Sequence, residues 1–358
     1  MKVHNFSAGP CILPQEVFEK ASKAVLNFNE MGLSILEISH RSPEFVEVIQ
    51  KARALALELL GLNASNYTAL FVQGGASNQF LMTAQNFLNP NKTAGFLNTG
   101  TWAAKAIKEA KRFGNVFEIG SSQDKGYTYI PDIVKVNRKI DYLHYTSNNT
   151  IYGTQMNHFP KLDDSLIFCD MSSDIFSRTL DYSQFDLIYA GAQKNIGPAG
   201  ATLVVIKNEI LSQANTDIPS ILNYNLIVER ESMFNTPPVF SVYVSYLNLL
   251  WLKDQGGIVG VEKINEKKAE NLYQEIDRNT MFFGVANKED RSKMNVTFRL
   301  TDENFTEEFD NLCQANKISG VKGHRSVGGY RASIYNALTL ESVYKLIEVM
   351  QKLEKIHK

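Results

Sequence analysis

Apolar residues recur along this chain with two different periods, and the switches between them mark its elements. Helical spacing runs from Gln15 to Phe28, with Pro14 beside the start. It returns through SPEFVEVIQKARALALELLG, where Ser42 is the expected cap, Pro43 takes the first turn and Gly61 sits just past the end. Element types then alternate. YTALFV reads as a strand, SNQFLMTAQNFL as a helix, KTAGFLN as a strand, TWAAKAIKEAKRFG as a helix and NVFEIG as a strand. Short apolar runs follow at YLHYT, SLIFCD, FDLIYA and ATLVVIK. Strands separated by helices or long crossings predict an α/β fold with a mostly parallel sheet covered on both faces.

Beyond a double proline, PPVFSVYVSYLNLLWLKDQGG predicts a long apolar helix and VGVEKINEKKAENLYQEIDR an amphipathic, highly charged one. These bridge to a smaller α+β region: KMNVTFRL as a strand, NFTEEFDNLCQANKI as a helix and a terminal helix in ALTLESVYKLIEVMQKLEKI, capped by Thr339. The division expected is a segment 1–14 that joins the small domain or the site, a large domain 15–255 and a small domain 256–358. No repeat or low-complexity tract is present.

Composition narrows the function classes. With 358 residues, 44% of them hydrophobic, the chain has material for two cored domains. Its 37 basic and 38 acidic side chains leave a formal net charge of -1, which argues against a nucleic-acid binder working through a basic surface. Cys11, Cys169 and Cys313 are far apart and form no CxxC pair, so neither a disulfide scaffold nor a thiolate metal site is expected. His40 and His324 lack the H-E-x-x-H partners of a zinc site, and no metal is expected. The start, MKVHNFSAGP, has no signal-peptide core, and no apolar run reaches the roughly 20 residues needed to span a bilayer. The expectation is a soluble cytoplasmic protein without membrane or nucleic-acid partners.

Several short stretches carry candidate chemistry. In VQGGASNQF a strand ends at Val72, Gly74 and Gly75 allow a tight turn, and a helix begins near Ser77. Free backbone N–H groups at such a start attract phosphate, with Ala76 and Ser77 leaving room for it; an ordinary strand-to-helix turn reads the same way. In IFCDMSSD, Asp170 follows an apolar strand end, where a carboxylate needs a partner such as a protonated ring nitrogen; a solvated loop acid is the alternative, and Asp174 competes. In DLIYAGAQKNIGPAG a strand delivers Lys194 into a stretch of small residues. A lysine stripped of water, or near another cation, has a lowered pKa and acts as an amine nucleophile; a phosphate-binding or surface lysine is the alternative. Trp102 opens a helix where it would stack on a planar ring or wedge between helix and sheet, and Thr150 offers a hydroxyl. His40 and Arg41 in ISHRSPE, and His324, Arg325 and Arg331 in KGHRSVGGYRASIYNA, would clamp a substrate with two anionic ends or form scattered ion pairs.

In order, NFSAGPCILPQEV, SILEISHRSPEF, FVQGGASNQF, NTGTWAAKA, YAGAQKNIGPAG, FNTPPVFSVY and HRSVGGYRASIYNA make nearly the whole chain resemble the phosphoserine aminotransferases, class V aminotransferases of pyridoxal-phosphate fold type I. The resemblance implies a large domain with a mostly parallel seven-stranded sheet plus a smaller C-terminal α+β domain. It implies one pyridoxal 5'-phosphate per subunit, held as a Schiff base on Lys194, with Asp170 on the pyridine nitrogen, Trp102 on the ring and Thr150 at the phenolic oxygen. Ala76, Ser77 and Gln193 would receive the cofactor phosphate. Asn235 and Thr236 would reach the phosphate in a neighbouring subunit, making a homodimer with shared sites. Arg331 matches the residue that holds the substrate α-carboxylate, and His40, Arg41, His324 and Arg325 match the group that takes the substrate phosphate or the glutamate side chain. Ser7 matches a residue lining the site. Some members carry arginine where this chain has Ser77, which bears on substrate preference. The implied reaction moves an amino group between glutamate and 3-phosphohydroxypyruvate, giving O-phosphoserine and 2-oxoglutarate for serine biosynthesis. A 4-phosphohydroxythreonine step in pyridoxine biosynthesis is also implied. The alternative is another fold-type I aminotransferase acting on a different small amino acid.

Overall fold

The structure, a computed structural model, describes residues 3–162 and 164–358. In chain order the first half comprises β1 (His4–Asn5), α1 (Gln15–Leu26), α2 (Pro43–Leu59), β2 (Tyr67–Val72), α3 (Gly75–Phe87), β3 (Thr93–Asn98), α4 (Thr101–Ala110), β4 (Asn115–Ser121), β5 (Tyr142–Thr146), β6 (Leu166–Asp170), β7 (Leu187–Gly191) and β8 (Thr202–Lys207). There follow α5 (Tyr224–Glu229), α6 (Val239–Asp254), α7 (Gly257–Arg278), β9 (Phe282–Gly284), β10 (Asn295–Leu300), α8 (Thr306–Ala315), β11 (Ile318–Ser319), β12 (Tyr330–Ser333) and α9 (Leu340–His357). Among the described residues no helix is long and apolar enough to cross a membrane.

Seven strands form one sheet in the order β2-β8-β7-β6-β5-β3-β4. Only β8 runs against its neighbours; β7, β6, β5, β3 and β4 pair in parallel. The strand sequences show why both faces are covered. Ile167 and Cys169 of β6, with Ile188 and Ala190 of β7, enter one core cluster with α2 and α6. The alternate residues Phe168, Leu187 and Tyr189 enter a second cluster with α3 and α4. Period-2 alternation with apolar residues at both phases leaves no polar face, so helices must close both sides.

A second, three-stranded antiparallel sheet, β12-β10-β9, packs with α7, α8 and α9 around Phe298, Phe309 and Leu346. The N-terminal residues belong with it, for β1 pairs with β11 in parallel and Phe6 enters that core. The chain then crosses to the large sheet, where the Cys11 amide donates to the Gln193 carbonyl at 3.1 Å. A buried polar network ties the two bodies. Asn148 Nδ2 donates to Ser173 Oγ at 2.8 Å and to Asn295 Oδ1 at 2.7 Å, Asn295 Nδ2 donates to Tyr335 OH at 3.2 Å, and Tyr335 OH donates to the Ala8 carbonyl at 2.9 Å. Such a network is stabilising only when its members are satisfied, and it fixes the relative placement of the segments it joins.

Caps fall where side-chain chemistry predicts. Ser42 Oγ accepts from the Phe45 amide at the start of α2, and Thr339 accepts from the Ser342 amide at the start of α9. Helix α1 ends at Leu26 and not at Phe28, because Asn27 is extended and Asn29 left-handed at φ 48. The strand expected from the run FDLIYA is β7, which ends at Gly191, three residues before Lys194.

Candidate active site

The parallel strands end together, and the carboxyl edge of such a sheet is where a crevice forms. A cavity of about 420 Å³ lies there, lined by Ala76, Ser77, Trp102, Thr150, Asp170, Gln193, Lys194, His324 and Arg331, with Ala8 and Gly9 of the N-terminal crossing. Residues scattered over most of the chain thus meet in one space.

Part of its wall is the turn of Gly74, Gly75, Ala76 and Ser77. Gly74 is left-handed at φ +99, and a Cβ there would lie 2.5 Å from Asn78 Cβ, so only glycine makes this turn. Helix α3 starts at the next residue with no side-chain cap, leaving the Ala76 and Ser77 amides in its first turn to point at the cavity end.

Lys194 follows the end of β7 by three residues. Its amide and that of Gly197 both donate to the Ala192 carbonyl at 2.7 Å, closing a tight turn. A Cβ on Gly197 would come 2.4 Å from Ser245 Oγ, so the small residues after the lysine let α6 pack against that turn. The amine is 9% exposed, and Nζ donates to Thr150 Oγ1 at 2.8 Å. Burial lowers its pKa to about 8; Asp170 opposes that shift and Arg331 adds to it.

The two candidate acids separate cleanly. Asp174 is buried and saturated: it accepts from Ser147 Oγ, from Gln155 Nε2 at 3.1 Å and from Arg178 Nη2 at 2.9 Å. Asp170, 4% exposed, accepts through Oδ1 from the Ser172 amide at 2.9 Å and from Ser172 Oγ at 2.6 Å. Among the described residues nothing donates to its Oδ2, although the side chain lines the cavity. Burial raises its pKa, and the Ser172 bonds and Lys194 act against that rise. The side chain is buried but this oxygen is open to the cavity, where an N–H from whatever fills the space would satisfy it.

Arg331 stands on β12 opposite Thr297. Nη1 donates to the Thr150 carbonyl at 3.2 Å, and Nε is buried with no partner. Trp102 is half-buried, the second residue of α4, and its indole Nε1 also lacks a partner. His324 Nδ1 bonds Ser326 Oγ at 2.7 Å. Partial burial and the charges of Arg331, Arg325 and Lys105 hold its pKa down.

Six of the residues that the resemblance assigned to the site do not line this cavity: Ser7, His40, Arg41, Asn235, Thr236 and Arg325. Arg41, Asn235, Thr236 and Arg325 are exposed, and His40 is half-buried with Nε2 unpartnered. Asn235 lines a separate cavity with Gln73 and Gly74, and Gln73 Nε2 donates to the Thr236 carbonyl at 2.5 Å. Sequence reasoning missed Ser172, although the D-x-S spacing of a local Asp turn pointed to it. It also missed the Ala8–Gly9 wall, for which no local signal exists.

Comparison with known proteins gives the same grouping. The profile of the family described as aminotransferase class-V matches residues 3–346. A phosphoserine aminotransferase of Flavobacterium johnsoniae is 62% identical over 99% of both chains. Among solved structures, the phosphoserine aminotransferase of Bacillus circulans subsp. alkalophilus superposes with a TM-score of 0.96 at 41% identity, covering 100% of this chain and 99% of that one. A PLP-bound phosphoserine aminotransferase from Trichomonas vaginalis does so with a TM-score of 0.91 at 33% identity, covering 98% and 100%. This chain therefore belongs to the class-V aminotransferases, as a pyridoxal-phosphate-dependent transaminase grouped with relatives called phosphoserine aminotransferase.

Proposed function

We propose that this protein transfers an amino group between glutamate and 3-phosphohydroxypyruvate, giving O-phosphoserine and 2-oxoglutarate. The observation that carries the reading is the pairing in one cavity of a desolvated lysine, Lys194, with a buried acid, Asp170, whose second oxygen has no donor. The residues present fit pyridoxal phosphate. Lys194 Nζ is the amine that would hold its aldehyde as a Schiff base, one cofactor per subunit. Asp170 Oδ2 would take the N–H of the ring, Trp102 would stack on it, and Thr150 would reach its phenolic oxygen. The α3 amides, with Ser77 and Gln193, would hold the phosphate. When bound, the cofactor supplies the electron sink that makes a substrate α-proton removable.

The protein's own groups do the rest. Lys194, whose pKa burial lowers to about 8, would in its neutral form take the α-proton at Nζ as general base and later return it. Asp170 keeps the ring nitrogen protonated. Arg331 binds the α-carboxylate common to every substrate. His40, Arg41, His324 and Arg325 would accept either the phosphate or the second carboxylate of glutamate, since a guanidinium fork suits both anions. Exposure of Asn235 and Thr236 supports a homodimer in which they serve the neighbouring subunit's cofactor phosphate. The same anion group fits 4-phosphohydroxythreonine, which places a pyridoxine-biosynthetic step within this reading.

The reading is tested by assaying the reconstituted protein with O-phosphoserine and 2-oxoglutarate against alanine and glyoxylate. A rate with the first pair exceeding that with the second by at least about a hundredfold is the expected outcome, since a substrate without the distal anion forgoes several charge-assisted hydrogen bonds, together a few kcal/mol. Comparable rates would overturn it in favour of a fold-type I aminotransferase for another small amino acid.

A further inference from the structure

One cation beside a residue of the cavity wall, Lys105 next to Trp102, has no part in the functional reading above. Helix α4 opens at Thr101, so Trp102 and Lys105, three residues apart, share a face. Lys105 Nζ lies 4.5 Å from the centroid of the Trp102 ring, and Trp102 lines the cavity together with His324. The tryptophan face therefore holds the ammonium beside a residue of the cavity wall, an attraction of ring quadrupole for cation. Lys105 is exposed and, among the described residues, pairs with no carboxylate, whereas Lys51 and Lys253 each meet a glutamate. The charges that act on His324 have one sign only, those of Arg331, Arg325 and Lys105. Among the described residues none of these three cations pairs with a carboxylate, and Asp170 is the acid on the cavity wall. A group of cations that face no anion of their own is an anion site waiting for its ligand.

We propose that Lys105 is a specificity-determining residue for the substrate's distal anion, favouring a phosphate monoester over a carboxylate. The inference rests on the functional reading above and deepens it. Arginine forks match carboxylate and phosphate geometry alike, so Arg41 and Arg325 offer little to choose between the two. An ammonium is a point charge, and its attraction scales with the charge it meets. A phosphate monoester carries about −1.5 to −2 at neutral pH against −1 for a carboxylate. Lys105 therefore adds more to binding of O-phosphoserine or 3-phosphohydroxypyruvate than to binding of glutamate. Because the residue is exposed, water screens the effect and it is modest, about threefold to fivefold.

The test uses the reconstituted holoenzyme and its Lys105→Gln and Lys105→Arg variants, following each half-reaction separately. Lys105→Gln is expected to raise KM for O-phosphoserine about threefold to fivefold while changing that for glutamate less than about twofold, with kcat unchanged for both. Lys105→Arg keeps the charge and should hold KM for O-phosphoserine near the wild-type value while lowering that for glutamate, which narrows the preference. Two readouts stand apart from turnover. In Lys105→Gln the His324 imidazole, followed by NMR, should titrate at higher pH, since a neighbouring cation disfavours its protonation. Inorganic phosphate, used as a probe by calorimetry, should bind more weakly. Equal weakening of both substrates would assign Lys105 to holding Trp102 and overturn the proposal, as would no change in either. A wild-type enzyme that fails to react with O-phosphoserine would sink the functional reading and this inference with it. A reactive wild type with an insensitive Lys105→Gln variant would sink the inference alone.

Discussion

At the scale of single residues, the site turns on what burial does to one amine and one acid. Lys194 loses its water and its proton affinity falls, while Asp170 partly restores it by charge. In the cofactor-free protein the amine should therefore react with an aldehyde or acylating reagent with a midpoint near pH 8, since only the neutral form is nucleophilic. Asp170→Asn removes the charge that favours the ammonium, so that midpoint should move lower; a move upward would contradict the pairing. Binding of substrates divides between two places. Arg331→Ala should raise KM for every substrate by at least about tenfold, the scale of losing a charge-assisted hydrogen bond. Arg325→Ala should hurt the phosphorylated substrate more than glutamate. Equal and negligible effects of both changes in steady-state kinetics would count against the clamp. The sequence left Asp170 and Asp174 as rivals because each follows the same apolar run at short range. What separates them is the filling of Asp174 by Ser147, Gln155 and Arg178, side chains brought from other segments.

At the scale of elements, the strands of the large sheet were readable because burial on both faces leaves each as a short, nearly continuous apolar run. β12 was not: its four residues include Arg331, and the glycines before it mask any alternation. β1 and β11, two residues each, fall below what any period can show. The loop after β12 is held by a device equally invisible in sequence. Lys268 of α7 is fully buried, and its Nζ donates to the carbonyls of Ile334 at 2.9 Å, Tyr335 at 2.7 Å and Leu338 at 3.1 Å. Lys268→Met leaves three buried acceptors empty while removing a buried charge, effects of opposite sign. A net loss of about 2–4 kcal/mol in chemical denaturation of the cofactor-free protein is expected. Burial acts to lower the Lys268 pKa, whereas the three carbonyl acceptors require the three N–H donors that only the ammonium has.

At the scale of the whole molecule, one chain assembles the cofactor floor but not the full set of cations and amides that the reading requires. Asn235, Thr236, Arg41 and Arg325 are exposed outside the cavity. Apolar Leu33, Leu36, Ile221 and Phe234 are exposed as well, three of them within a few residues of His40, Arg41 or Asn235. The proposed homodimer would cover these surfaces and, with twofold symmetry, share its sites. Mixing two inactive proteins tests this. Subunits carrying Lys194→Ala, unfolded and refolded together with subunits carrying Asn235→Ala and Thr236→Ala, should recover about a quarter of the wild-type sites, one in each mixed dimer. No recovery from a mixture shown to contain mixed dimers would confine each site to one chain.

The central claim is covalent and is tested most directly by chemistry at the lysine. The protein is reconstituted with pyridoxal phosphate, reduced with borohydride, digested and mapped by mass spectrometry. A pyridoxyl group on Lys194 is the predicted result. An adduct on another lysine in the fully reconstituted protein, with Lys194 unmodified, would contradict it.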